Sequence, residues 1–204
     1  MPKITNISIQ EKNKKRCNIF IDGDFFIGIP IEVVYSHSLK VGSEVDKAKL
    51  LEIANEKDYL DALSKATAYV SRTIKTKKQV KTYLQNKGYT DDIVVKVIGK
   101  LLEYKYIDDN EYAKRYIDSV SKSQGIHMTK YKLMMKGLKK EDVENVYNEM
   151  NVNSKENALL VAEKHIKNKE KTKENLSKTY RYLISKGFTY DDANYAIDNL
   201  KEEE

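Results

Sequence analysis

Apolar and polar residues alternate over Lys3-Ile4-Thr5-Asn6-Ile7-Ser8-Ile9, the period of a strand with one buried face. Cys17-Asn18-Ile19-Phe20-Ile21 and Phe25-Phe26-Ile27-Gly28-Ile29 read as two more strands. Between them Asp22-Gly23-Asp24 has the chemistry of a tight hairpin turn. Residues 11–16 form a charged turn after the first strand. The expected product is a three-stranded antiparallel meander, too small to be stable alone. It should pack on a short helix over residues 32–39 and on whatever follows. From about residue 46 the apolar spacing changes to three and four, the period of helices with one buried stripe.

The helical part repeats. Lys-Gly occurs at Lys87-Gly88, Lys136-Gly137 and Lys186-Gly187, with the glycines 49 and 50 residues apart. Counted from each glycine, position −4 is Leu84, Leu133 or Leu183, and +1 is Tyr89, Leu138 or Phe188. Position +6 is Val94, Val143 or Ala193, and +9 is Val97, Val146 or Ala196. Position +10 is Ile98, Tyr147 or Ile197, and +13 is Leu101, Met150 or Leu200. Agreement in character at every position marks a repeat of about fifty residues. The glycine is expected to end one helix in the left-handed conformation, with lysine at the negative end of the helix dipole. Thr90-Asp91-Asp92 and Thr189-Tyr190-Asp191-Asp192 then supply N-terminal caps for the next helix. The +6 to +13 stripe is expected to bury against the preceding helix. A longer amphipathic segment leads each pair, at residues 59–74, 109–122 and 155–169. The fold class expected is therefore mainly α, with about three tandem three-helix repeats forming an elongated curved rod behind a small β region. The divisions are 1–45 for the β extension, 46–107, 108–152 and 153–204 for the repeats.

Charge adds a functional hint. The 204 residues carry 37 Lys/Arg and 31 Asp/Glu, a formal net charge of +6. Residues 1–60 hold nine of each sign and residues 151–204 hold ten of each. Residues 61–150 hold 18 basic and 12 acidic side chains, and so carry the whole excess. Residues 62–90 contain Lys65, Arg72, Lys75, Lys77, Lys78, Lys81 and Lys87 with no acid. Basic segments precede each Lys-Gly and acids follow it, which predicts a basic ridge suited to a polyanion or an acidic protein surface.

Catalytic chemistry is missing from the sequence. His37, His127 and His165 are scattered, and neither of the common glycine-rich phosphate loops is present. The pairs Asp91-Asp92, Asp108-Asp109 and Asp191-Asp192 fall at helix starts, where capping accounts for them. One cysteine, Cys17, rules out an internal disulfide and a cysteine zinc site. It reads as a core residue. No apolar run approaches the roughly 20 residues of a membrane span, and no signal-peptide pattern is seen. The expectation is a soluble cytoplasmic monomer that needs no cofactor and works by binding.

Ala68-Tyr69-Val70-Ser71-Arg72-Thr73-Ile74-Lys75-Thr76, followed by Leu84-Gln85-Asn86-Lys87-Gly88-Tyr89, resembles the first repeat of the RecX family of bacterial regulatory proteins. Tyr106-Ile107-Asp108-Asp109-Asn110-Glu111-Tyr112-Ala113-Lys114-Arg115-Tyr116 is similar to the motif opening that family's second repeat. The β extension and third repeat match the longer Gram-positive members in architecture. Two departures are Lys105, where the family usually has glycine, and Gln79, where an acid is common. The resemblance implies a non-enzymatic protein that enters the groove of the RecA recombinase filament on single-stranded DNA. There it would hinder filament growth and suppress ATPase, strand exchange and coprotease activity, with weak direct DNA binding in some members. The residues expected at such an interface are Arg72, Lys75, Lys77, Lys78, Lys81, Lys87, Arg115, Lys130, Lys132, Lys136, Lys178 and Arg181. The rival expectation is a free-standing nucleic-acid-binding helical repeat that uses the same ridge.

Overall fold

The computed structural model describes residues 1–11 and 13–202; Lys12 of the charged turn and the last two residues of the third repeat lie outside them. Three strands open the chain, β1 (Ile4–Ile9), β2 (Arg16–Ile21) and β3 (Asp24–Pro30), in an antiparallel meander of order β1-β2-β3. Asp22 and Gly23 take φ of 54° and 96°, as a hairpin turn matched to strand twist requires. Alternation buries Cys17, Ile19 and Ile21 on one face. Ile4 and Ile29 join Ile19 and Ile21 in packing against Val33, Leu50 and Ala54. Helix α1 (Ile31–Ser36) is shorter than the expected 32–39, because Ser38 at φ 51° turns the chain out of the helix.

Helix α2 (Lys47–Arg72) runs unbroken for 26 residues, where only 59–74 was expected as the leading helix of the repeat. It contains no glycine or proline to interrupt it, and Asp46 caps its start by accepting from the Ala48 and Lys49 N–H groups. Two partners share it: the sheet covers Leu50 and Ala54, and α4 covers the side bearing Ala62, Ala66 and Val70. The remaining helices are α3 (Lys77–Asn86), α4 (Asp91–Glu103), α5 (Asp109–Val120), α6 (Ile126–Met135), α7 (Lys140–Glu149), α8 (Ser154–Ile166), α9 (Lys173–Ser185) and α10 (Tyr190–Glu202). They group as three-helix repeats α2–α4, α5–α7 and α8–α10.

The stripe read from the sequence is the core of each repeat. Leu84, Leu133 and Leu183 have no exposed surface, and every +6 to +13 residue is buried except the half-buried Met150. Its main partner differs from expectation in the first and third repeats. α4 and α10 lie chiefly on the first helix of their own repeat, α2 and α8, rather than on the preceding one, while α7 packs about equally on α5 and on the preceding α6.

Gly88, Gly137 and Gly187 adopt φ of 87°, 101° and 85°. Each makes the same paired bonds: Tyr89 N–H to Leu84 O and Gly88 N–H to Gln85 O in the first repeat, with the equivalents in the other two. This motif satisfies carbonyls that the helix end would leave free. Lys105 occupies the same slot at φ 56°, with Tyr106 N–H donating to Leu101 O at 2.8 Å. The turn is thus kept with lysine in place of glycine, at the expense of left-handed strain.

The chain divides into two compact units, Met1–Arg72 with Val80–Tyr106, and Thr73–Gln79 with Ile107–Glu204.

Candidate functional site

In the second unit the Lys-Gly turns are joints as well as helix ends. The Gly125 N–H donates to Lys186 O at 3.0 Å and the His127 N–H to Gly187 O at 2.9 Å, so the first N–H groups of α6 satisfy the turn that ends α9. The turn ending α6 is held similarly. Thr76 Oγ1 donates to Lys136 O at 2.7 Å, and Lys78 Nζ donates to Met135 O at 3.3 Å. Asp109 completes this joint by accepting from the Lys77 N–H at 2.8 Å. Burial pushes the Asp109 carboxyl up, and the Lys77 N–H opposes that shift.

These joints decide what the expected cations can do. Lys77, Lys78 and Lys81 are exposed on α3, and Lys77 and Lys78 come beside Lys136 at the Gly137 turn. The stem of Lys78 is committed to packing: a Cβ on Gly137 would lie 2.4 Å from its Cβ. Lys130 pairs with Glu144 at 3.0 Å and holds that carboxyl below its ordinary range, while Lys132 donates to Gln124 at 2.8 Å. Arg115 pairs with Glu111, and Lys178 with Glu174, on their own helices; Arg181 bonds Ser177. Lys87 sits over the Tyr83 ring at 5.7 Å, and Lys75 is half-buried. Of the cations expected at the interface, Arg72, Lys77, Lys81 and Lys136 are exposed and have neither an ion pair nor another side-chain hydrogen bond among the described residues. The structure therefore gathers Lys77, Lys78 and Lys136 and leaves Arg115, Lys178 and Arg181 with local partners.

The aspartate pairs are structural. Asp108 accepts from the Asn110 and Glu111 N–H groups. Asp192, 5% exposed, accepts from the Thr189 N–H and the Ser154 hydroxyl. Thr90 makes no side-chain cap, although Asp91 and Asp92 sit in the first turn. Among the described residues no group of three or more His, Cys, Asp or Glu is placed to hold a metal. No helix among them is long and apolar enough to cross a membrane. Cys17 is buried, which pushes its thiol up.

A groove of about 1170 Å³ in the first unit is lined by β3, α2 and the turn before α4. Its charges are already matched. Arg16 grips both oxygens of Asp58 and donates to Gly28 O at 2.6 Å. Asp61 accepts from the Tyr89 hydroxyl and from Lys65, and burial with that bond pushes Tyr89 up to about 12. This network braces the sheet and the Gly88 turn against α2. It is scaffold.

Three sequence patterns match the chain: the regulatory protein RecX N-terminal domain over residues 2–46, the first three-helix domain of RecX over 62–101, and the third over 154–197. A regulatory protein RecX from Clostridium botulinum (strain Alaska E43) is 37% identical over 94% of this chain and 92% of its own length. The chain belongs to the RecX family of regulatory proteins. The RecX of Clostridium beijerinckii is 38% identical over 98% of this chain and 96% of its own. A RecX crystal structure superposes with a TM-score of 0.67, covering 97% of this chain and all of that one at 24% identity. RecX from Lactobacillus salivarius gives 0.65 over 72% of this chain and 98% of its own. These two likenesses concern the fold, which is that of RecX throughout.

Seen as a RecX protein, the chain holds features its sequence did not disclose. The joint residues Thr76, Asp109 and Gly125 act across more than thirty positions, and no local pattern marks them. The one available signal was Gly125, a glycine at a helix start whose φ of −78° needs no glycine.

Proposed function

We propose that this protein regulates the RecA recombinase by binding its filament on single-stranded DNA, where it hinders filament growth and suppresses ATPase, strand exchange and coprotease activity. Membership of the RecX family over nearly the whole chain carries this reading. Lys77 and Lys136 at the Gly137 joint, and Lys81 further along α3, support the mode of contact. All three are exposed and make no ion pair among the described residues, although the Lys77 charge acts on the neighbouring Asp109 carboxyl, so Lys81 and Lys136 are the cations most open to an anionic partner. Each single-strand phosphate neutralised contributes about 0.7 to the slope of log affinity against log salt.

The test is RecA ATPase on single-stranded DNA, with this protein well below one copy per RecA monomer. The parent inhibits. Lys77→Glu/Lys81→Glu/Lys136→Glu should need about tenfold more protein and show a shallower salt dependence. Lys78 is spared because its stem packs against Gly137. A folded variant that inhibits like the parent would remove the cations from the mechanism. If the parent bound single-stranded DNA yet left ATPase untouched, the protein would instead be a free-standing nucleic-acid binder.

A further inference from the structure

The second helices of the three repeats differ on their outward faces. Three residues of α6 stand out, Tyr131 (61% exposed), Met134 (44%) and Met135 (61%). By distance from the Lys-Gly glycine, α3 places Thr82, Gln85 and Asn86 there, and α9 places Arg181, Ile184 and Ser185. At 100° per residue Tyr131, Met134 and Met135 share one face of α6 with the exposed His127, and that face points away from the buried Leu133 and Thr129. Lys132 borders it on one side and Lys130, paired with Glu144, on the other. The outward side of α6 is thus an apolar stripe with a cationic edge at Lys132.

Nothing in the repeat requires this stripe. Its core is complete without it, since Leu133, Leu138, Val143 and Val146 are buried around Ala113 and Ile117. Exposed Met beside Tyr is a composition found at protein-binding surfaces, because Met adapts its shape and Tyr supplies an anchor of low entropy cost.

We propose that the Tyr131–Met134–Met135 face of α6 docks into an apolar, acid-rimmed cleft on the protein part of the recombinase filament, separately from phosphate contacts. Charge complementarity selects the partner, since Lys132 at the stripe's edge meets only the neutral Gln124 amide and keeps its positive charge uncompensated. Protein is favoured over nucleic acid for two reasons. Two of the three residues have no planar surface on which a base could stack, and Lys130 on the rim is already neutralised by Glu144, which leaves a single free lysine beside the stripe where a phosphate backbone would call for a row of them. The proposal rests on the RecA reading above.

Binding of the full chain is measured by fluorescence anisotropy or co-sedimentation against RecA filaments on single-stranded DNA, and against the bare strand. For Tyr131→Gln/Met134→Gln/Met135→Gln, affinity for the filament should fall at least about tenfold while affinity for the bare strand is unchanged. Tyr131→Phe/Met134→Leu/Met135→Leu, which keeps the apolar surface, should bind like the parent. Equal losses on filament and bare strand would make the face a nucleic-acid contact and overturn the proposal. Unchanged filament binding by the glutamine variant would overturn it while leaving the RecA reading intact. A parent with no affinity for the filament would bring down both.

Discussion

The three Lys-Gly glycines share a conformation but not an environment, so replacing them with alanine should cost unequal amounts. At Gly88 an added Cβ meets nothing within 4 Å, and the loss is left-handed strain alone, about 1–2 kcal/mol. At Gly187 the same strain applies, and the Cβ would lie 2.3 Å from Met128 N and 2.9 Å from Met128 Cα. Both atoms are backbone, so no rotamer change relieves the clash and the turn must leave α6. That breaks the bonds from Gly125 and His127, at about 1 kcal/mol each. Gly125 isolates the contact. Its φ is −78°, which alanine tolerates, but its Cβ would lie 2.2 Å from Phe188 N. Gly125→Ala should thus cost about 2 kcal/mol, and Gly187→Ala about 3–4, near the sum of the strain and contact losses. Urea unfolding by circular dichroism ranks the variants. Amide exchange at His127 gives the local readout, accelerating in Gly187→Ala and not in Gly88→Ala. Losses at Gly88 and Gly187 equal within about 0.5 kcal/mol, with Gly125→Ala neutral, would refute the joint.

Asp58→Ala should destabilise the first unit by about 1–3 kcal/mol in urea melts, because it removes a bidentate partner and leaves the Arg16 charge half-buried beside Gly28 O; a loss below the error of the melt would mean the bridge is dispensable. His165 should make stability fall in mild acid. The Thr179 hydroxyl donates to Asn175 O, so Nδ1 donates to Thr179, while Nε2 faces the Lys169 ammonium at 3.4 Å and accepts from it only as a neutral ring; burial, and then the Lys169 charge, lowers the pKa below the ordinary 6.5. The unfolded chain then takes up the proton first, so the contribution is present above about 6.5 and lost as pH falls through the lower folded value. Comparing parent and His165→Gln melts at pH 7.5 and pH 5 tests this, and an identical pH dependence in the two would refute it.

The sequence was most legible where structure depends on neighbours along the chain. Positive φ at Gly88, Gly137 and Gly187, the buried stripes and the Asp22-Gly23 hairpin are local events, and each leaves a residue type at a fixed offset. Helix length was less legible. The polar run Asn55-Glu56-Lys57-Asp58 interrupts the apolar pattern in the middle of α2 because its two halves face different partners, so one 26-residue helix shows two offset stripes. The turn at Lys105 was legible only through the family, since lysine is not a residue type that announces left-handed backbone.

The basic ridge shows why a candidate site is harder to read than a fold. A run of lysines specifies charge, but availability depends on acids and carbonyls brought in by folding. Lys130 and Lys78 look alike in sequence, yet one is paired to Glu144 fourteen residues on and the other packs on Gly137 and reaches Met135 O, 57 residues away. The cations left over, Lys77, Lys81 and Lys136, are the ones whose removal should change binding without changing the fold. The same reasoning recovers α6. Its apolar outer face is obscured in the sequence because Met and Tyr there continue the apolar character of the inner face, and only burial separates the two. A residue's type states what it can do, and its neighbours in space decide whether it is free to do so.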